Sequence, residues 1–176
     1  VMQTAQKGLY EFMQDKPLTV KIAEIEKPDV PLWAIWSVQQ YAKFCGEGKC
    51  IEKYAKLVDD IITYIMEGGH PNLRLDDNGL LYSEGRDVAV TWMNSTANGR
   101  PVVPRTGYIV EFNALWYNAL RFGAMLKRQQ GDEAGATELE SKAEVTKTSF
   151  VSTFLNEYGY LLDYVDGNMM DWSVRP

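Results

Sequence analysis

Apolar residues recur at helical spacing over most of this chain, and that pattern sets the first expectations. Across residues 109–130, Phe112, Leu115, Trp116, Ala119 and Leu120 fall at i, i+3, i+4, i+7 and i+8, one apolar stripe on one helix. Residues 50–66 repeat the device through Ile51, Tyr54, Ala55, Val58, Ile61, Ile62 and Ile65. Another helix is expected from Asp29-Val30-Pro31 to Phe44, with proline in the first turn, where no amide donor is missed. Residues 133–156 predict a helix with Leu139, Ala143, Phe150, Phe154 and Leu155 facing inward. Residues 2–14 predict a modestly amphipathic helix, and residues 15–28 a loop with a short β-like run at 18–25.

Ahead of the 109–130 helix lie about forty residues without helical period, a length that usually serves function or carries small strands. Within it, apolar residues alternate on both sides of Asn78-Gly79, which predicts a β-hairpin over 73–82. The expected fold class is therefore mainly α, with helical hairpins forming part of a toroid and a small β-hairpin in a long loop. In such a toroid the long loops gather at one end and build the site. Residues 1–176 read as one domain, and the loop-like ending at Asp171-Trp172-Ser173-Val174-Arg175-Pro176 reads as a cut within something longer.

Composition narrows the class. At 176 residues with 45% hydrophobic content the chain can bury a sizeable core. Five Trp and ten Tyr suit either a packed core or an aromatic-lined cleft. A net charge of −6 without a basic cluster argues against a nucleic-acid or anionic-membrane surface. No apolar run approaches the roughly 20 residues of a membrane span. Cys45 and Cys50 flank a predicted helix–helix turn; a disulfide there is geometrically possible, but nothing demands it, and they read as a pair of free thiols. With no signal-peptide pattern, they point to the cytoplasm. The single His70 and the spacing of the cysteines make no zinc site, so no metal and no cofactor are expected.

The chemistry concentrates between residues 90 and 120. Trp92, Asn94, Asn98, Arg100 and Arg105 share a loop punctuated by Gly99, Pro101, Pro104 and Gly107, and the loop runs into the 109–130 helix. Flat rings beside amide, guanidinium and carboxylate groups suit a carbohydrate: sugar CH faces stack on rings, and hydroxyls need planar hydrogen-bonding partners.

These same residues carry a resemblance. Thr91-Trp92-Met93-Asn94, the stretch Gly99-Arg100-Pro101-Val102-Val103-Pro104-Arg105, and Val110-Glu111-Phe112-Asn113-Ala114-Leu115-Trp116-Tyr117-Asn118-Ala119-Leu120 follow one another. Together they resemble the C-terminal amylo-α-1,6-glucosidase domain of glycogen debranching enzymes. Asp29-Val30-Pro31-Leu32-Trp33, Asp77-Asn78-Gly79-Leu80-Leu81, Leu162-Asp163-Tyr164-Val165-Asp166-Gly167 and Arg175-Pro176 extend the likeness in the family's order. The resemblance implies an (α/α)6 barrel of which this chain supplies the middle, and cleavage of α-1,6-linked glucose at branch points of glycogen or limit dextrin. It also implies that the second catalytic carboxylate lies beyond Pro176. A partial toroid exposes helix faces meant for missing neighbours, so self-association is expected.

Glycoside hydrolysis needs one carboxyl group to protonate the leaving oxygen. In an inverting enzyme a second, roughly 6.5–9.5 Å away, activates water. Asn94 stands where the resemblance implies the acid aspartate, and an amide has no acidic proton to donate. The alternative is thus a non-catalytic carbohydrate-binding or regulatory relative. Glu111, at a helix start whose dipole favours the ionised form, is the other candidate for the catalytic machinery. It would accept sugar hydroxyls or hold Arg105; otherwise it is an ordinary first-turn glutamate. For contacts to an α-glucan or branched oligosaccharide the candidates are Asp29, Trp33, Trp92, Arg105, Asn113, Trp116, Asp163, Asp166, Asp171 and Arg175. Several have structural readings too: Asp29 as a helix cap, Trp33 and Trp116 as core, and Asn113 as a solvated first-turn amide. Trp33, Ser37 and Gln40 share a face that suits a wet cleft, whereas Leu32, Ile35 and Trp36 suit burial.

Overall fold

The computed structural model describes residues 27–174, apart from the side chains of Cys45, Glu47 and Glu52. The helix expected at 2–14, the β-like run at 18–25 and Arg175 lie outside the described residues. Four described helices form: α1 (Val30–Cys45), α2 (Glu47–Met66), α3 (Val110–Gln129) and α4 (Glu133–Phe154). Helix α2 begins three residues earlier than its stripe suggests, because Gly46 (φ +86°) turns the chain directly from α1 into α2.

Helix α3 is the axis of the packing, in contact with α1, α2 and α4. Its stripe, Phe112, Leu115, Trp116, Ala119 and Leu120, is buried, and Phe122, Ala124 and Leu126 widen it enough to meet neighbours on more than one side. Helix α4 returns along α3 after a tight turn at Gly131, where the Asp132 side chain caps α4 by accepting from the Gly135 N–H at 2.9 Å. Its inward residues Leu139, Ala143 and Phe154 are buried and Phe150 is half-buried. Leu155 is not inward: the helix has ended at Phe154, the backbone at 155 is extended, and the side chain is 48% exposed.

The expected hairpin forms, with β1 (Leu73–Leu75) antiparallel to β2 (Leu81–Ser83) in the register Leu73↔Ser83 and Leu75↔Leu81. It is more than a decoration of a loop. Besides a two-stranded ribbon, β3 (Thr96–Ala97) with β4 (Arg100–Pro101), the chain forms β5 (Gly107–Ile109), β6 (Tyr164–Asp166) and β7 (Met169–Met170). These three join the hairpin in a five-stranded antiparallel sheet of order β1-β2-β5-β6-β7. The architecture is therefore mixed, helices packed with a small sheet, and the mainly-α expectation is corrected to that extent. A second apolar cluster, Leu80, Phe154, Leu162 and Val165, fastens the end of α4 to this sheet.

Candidate active site

Strand β5 runs into α3 without a loop, so Arg105, just before the strand, and Glu111, in the first helical turn, are only six residues apart. Two glycines allow the chain to pass here. A side chain at Gly85 would collide with the Arg105 carbonyl oxygen, and one at Gly107 (φ +107°) with the Val165 carbonyl of the neighbouring strand. The Gly85 N–H also donates to Thr106 Oγ1 at 3.1 Å, closing the crossing.

Arg105 is 2% exposed and held from two sides. Its Nη1 and Nη2 donate to the two carboxylate oxygens of Glu111, the latter at 2.6 Å. Nε and Nη2 donate to Asp163 Oδ2 and Oδ1 at 3.1 and 2.8 Å. Such forked contacts match the planar guanidinium and fix its orientation. Burial opposes the charge on Arg105, but the hydrogen bonds and charges of Glu111 and Asp163 outweigh it and hold its pKa above the ordinary value. Backbone ties complete the frame: the Val110 N–H donates to the Asp163 carbonyl at 3.1 Å, and the Asp163 N–H to the Asp171 carbonyl at 2.9 Å. Nearby, burial and then the charge of Glu111 push the Asp29 carboxyl above its ordinary pKa, against the lowering effect of backbone amides.

Above this frame opens a cleft of about 410 Å³ lined by Trp33, Trp92, Met93, Arg105, Val110, Glu111 and Asp163. Trp92 is 54% exposed and Trp33 40%, and Trp33 is propped edge-on against Trp36. Trp92 and Met93 also border an adjoining hollow of about 270 Å³, where exposed Asn94 joins Ser95, Val102 and Val103. A family model for amylo-alpha-1,6-glucosidase matches residues 3–176. The chain belongs to the amylo-alpha-1,6-glucosidase family. No curated protein and no solved structure matches it.

Of the residues singled out in the family-like motifs, the fold gathers Trp33, Trp92, Arg105, Glu111 and Asp163 around one cleft, with Asn94 next door. Asp29 starts α1 without a side-chain cap hydrogen bond and is buried close enough to Glu111 to feel its charge. Asn113 does not reach the cleft. It is fully buried, its Oδ1 accepts from the Leu81 N–H at 2.7 Å, and its Nδ2 donates to the Leu81 and Ile109 carbonyls at 3.1 and 3.0 Å. It bolts α3 to β2. Trp116 is also withdrawn, at 1% exposure, and borders a separate cavity between the hairpin turn and α4. On the first helix Gln40 is buried and Trp36 is 36% exposed, the reverse of what their faces suggest.

Asp166 belongs to the sheet, where its Oδ1 accepts from the Tyr82 hydroxyl at 2.9 Å. Burial and Asp166 push the Tyr82 pKa up to about 12. Asp171 serves the frame through its backbone and accepts from the Ser173 N–H at 2.8 Å. Met93 and Val110, which no chemical signal in the sequence marks, supply apolar wall to the cleft.

Proposed function

We propose that this chain forms part of the (α/α)6 toroid of an α-1,6-glucosidase that acts on branched α-glucan, glycogen or limit dextrin, in the cytoplasm. The observation that carries the reading is the cleft itself: two exposed tryptophans over an arginine locked between two carboxylates. Rings offer stacking surfaces to the CH faces of a terminal glucose. Arg105, Glu111 and Asp163 form a fixed polar floor whose outward atoms meet sugar hydroxyls without reorganising. Both Glu111 oxygens accept from Arg105, so its part is to position and to bind, and proton donation falls to another group.

Asn94 motivates a second reading. It stands where the family resemblance has an acid aspartate, and its amide can accept or donate a hydrogen bond at the glycosidic oxygen without protonating it. In that reading the protein binds branched glucan without cleaving it. Glucose release from a branched limit dextrin by the full-length protein, with Asn94 and with Asn94→Asp side by side, separates the two. Release with Asn94 means that another residue is the acid. Release only after the change to Asp identifies position 94 as the acid site. No release from either folded protein supports the binding reading.

A further inference from the structure

Tyr158, Tyr160 and Trp172 stand at the end of the molecule that carries the cleft, because α4 runs back along α3 and the 155–161 loop follows α4 directly. They are 70%, 41% and 43% exposed. The rings are ordered relative to one another: Tyr158 lies nearly parallel to Tyr160, 18° and 6.3 Å between centroids, and meets Trp172 at 64° and 6.1 Å. Together they form an open corner.

The loop that presents them is held rather than loose. Asn156 Oδ1 accepts from the N–H groups of both Tyr158 and Tyr160, at 3.0 and 3.2 Å. The Asn156 N–H donates to the Tyr160 carbonyl at 3.0 Å, and the Gly159 N–H to the Asn156 carbonyl at 3.0 Å. Leu155 and Leu161 pair across the base. Trp172 follows Asp171, whose carbonyl accepts from the Asp163 N–H, so the corner is tied to the floor of the cleft through one residue. Large rings held outward by backbone hydrogen bonds expose apolar surface that a freer loop would fold away. Preorganised rings lose little entropy when a ligand stacks on them.

We propose that Tyr158, Tyr160 and Trp172 form an outer platform for the α-1,4-linked chains flanking a branch point, holding polymer at the rim while the cleft engages the branch. The inference rests on the α-glucan reading above. Glu157 is the one charged residue between Asn156 and Leu161, so the loop suits a neutral polyhydroxylated ligand better than an anionic one. Successive rings of an α-linked chain turn relative to each other, and a corner of rings follows that curvature better than a flat strip does.

The test uses the full-length protein and two ligands. Retardation in glycogen-containing native gels reports polymer binding, and calorimetry with a short branched oligosaccharide reports the cleft. The Tyr158→Ala/Trp172→Ala variant is expected to bind glycogen about tenfold more weakly, the change that 1.4 kcal/mol produces. Its affinity for the short ligand should stay within about twofold of the unaltered protein, a shift of under half a kcal/mol. Tyr158→Phe and Trp172→Phe, which keep a ring, should retain glycogen binding. The platform is refuted by unchanged retardation in the double variant, by equal loss for both ligands, or by loss in the phenylalanine variants. A double variant that merely dissociates a dimer, with glycogen binding intact, also refutes it. If Trp92→Ala leaves the short ligand's affinity unaltered while the double variant still loses glycogen, the cleft reading fails and the platform stands.

Discussion

The floor of the cleft and its rim are built on opposite principles. Arg105 and Asp163 in the floor are nearly inaccessible, and hydrogen bonds to side chain and backbone tie Arg105, Val110, Asp163 and Asp171 to one another. At the rim, Trp92 and Asn94 project from a loop of short turns beside the two-stranded ribbon, and both are exposed. Damage to the floor is therefore expected to cost stability and, on the proposed reading, binding with it. The rim, being exposed, is expected to contribute little to folding, and on the proposed reading it is where specificity and, at position 94, the difference between cleavage and binding would reside.

The largest effect is expected from Arg105→Ala. It strands Asp163 and Glu111 without their shared cation, and removing one member of a buried ion pair costs about 3–5 kcal/mol. Urea unfolding that shows a loss below about 1 kcal/mol would mean that the floor is not a structural unit.

Asn113→Ala comes next. It removes three hydrogen bonds and leaves the Leu81 N–H and carbonyl buried without the amide, for a loss of about 2–3 kcal/mol. Oligosaccharide affinity should not change in the folded variant, because the side chain never meets the cleft. A selective loss of affinity at unchanged stability would return Asn113 to the site.

Asp29→Asn probes the electrostatics beside the floor. Because the folded protein raises the Asp29 pKa above 3.8, the native state binds that proton more tightly than the unfolded chain. Stability therefore falls as pH rises from the ordinary value through the raised one and is flat above it. The Asn variant escapes this loss, so chemical denaturation should find it more stable than the unaltered protein at pH 7, with the gap closing toward acid pH. A variant less stable at pH 7 would contradict the account of Asp29.

The smallest stability effect is expected at the rim, where Trp92→Ala should shift unfolding by no more than about 0.5 kcal/mol. Its effect on ligand affinity should be large all the same, since a stacking ring is lost. A large destabilisation without a change in affinity would erase the distinction between floor and rim.

How much of this was legible in the chain depends on the range of the interaction. The stripe from Phe112 to Leu120 announces α3 because each contact repeats within a turn or two, and the Asn78-Gly79 hairpin is just as local. The rest of the sheet was hidden. Strands β5, β6 and β7 are two or three residues long, too short for alternation, and β6 finds β5 from the far side of two helices. The Arg105–Glu111 pair follows from positions six residues apart in two consecutive motifs, whereas Asp163 joins it only through that long-range strand pairing. Asn113 misleads for a similar reason. A first-turn amide looks solvated until β2 is seen to lie against it.

The most direct test of the glucan-cleft account is calorimetric titration of the full-length protein with a short oligosaccharide bearing an α-1,6-linked glucose, repeated with Trp92→Ala. Saturable binding to the unaltered protein is expected, with or without cleavage, and at least about tenfold weaker binding to the variant. No binding by the folded unaltered protein, or equal binding by both, would contradict it.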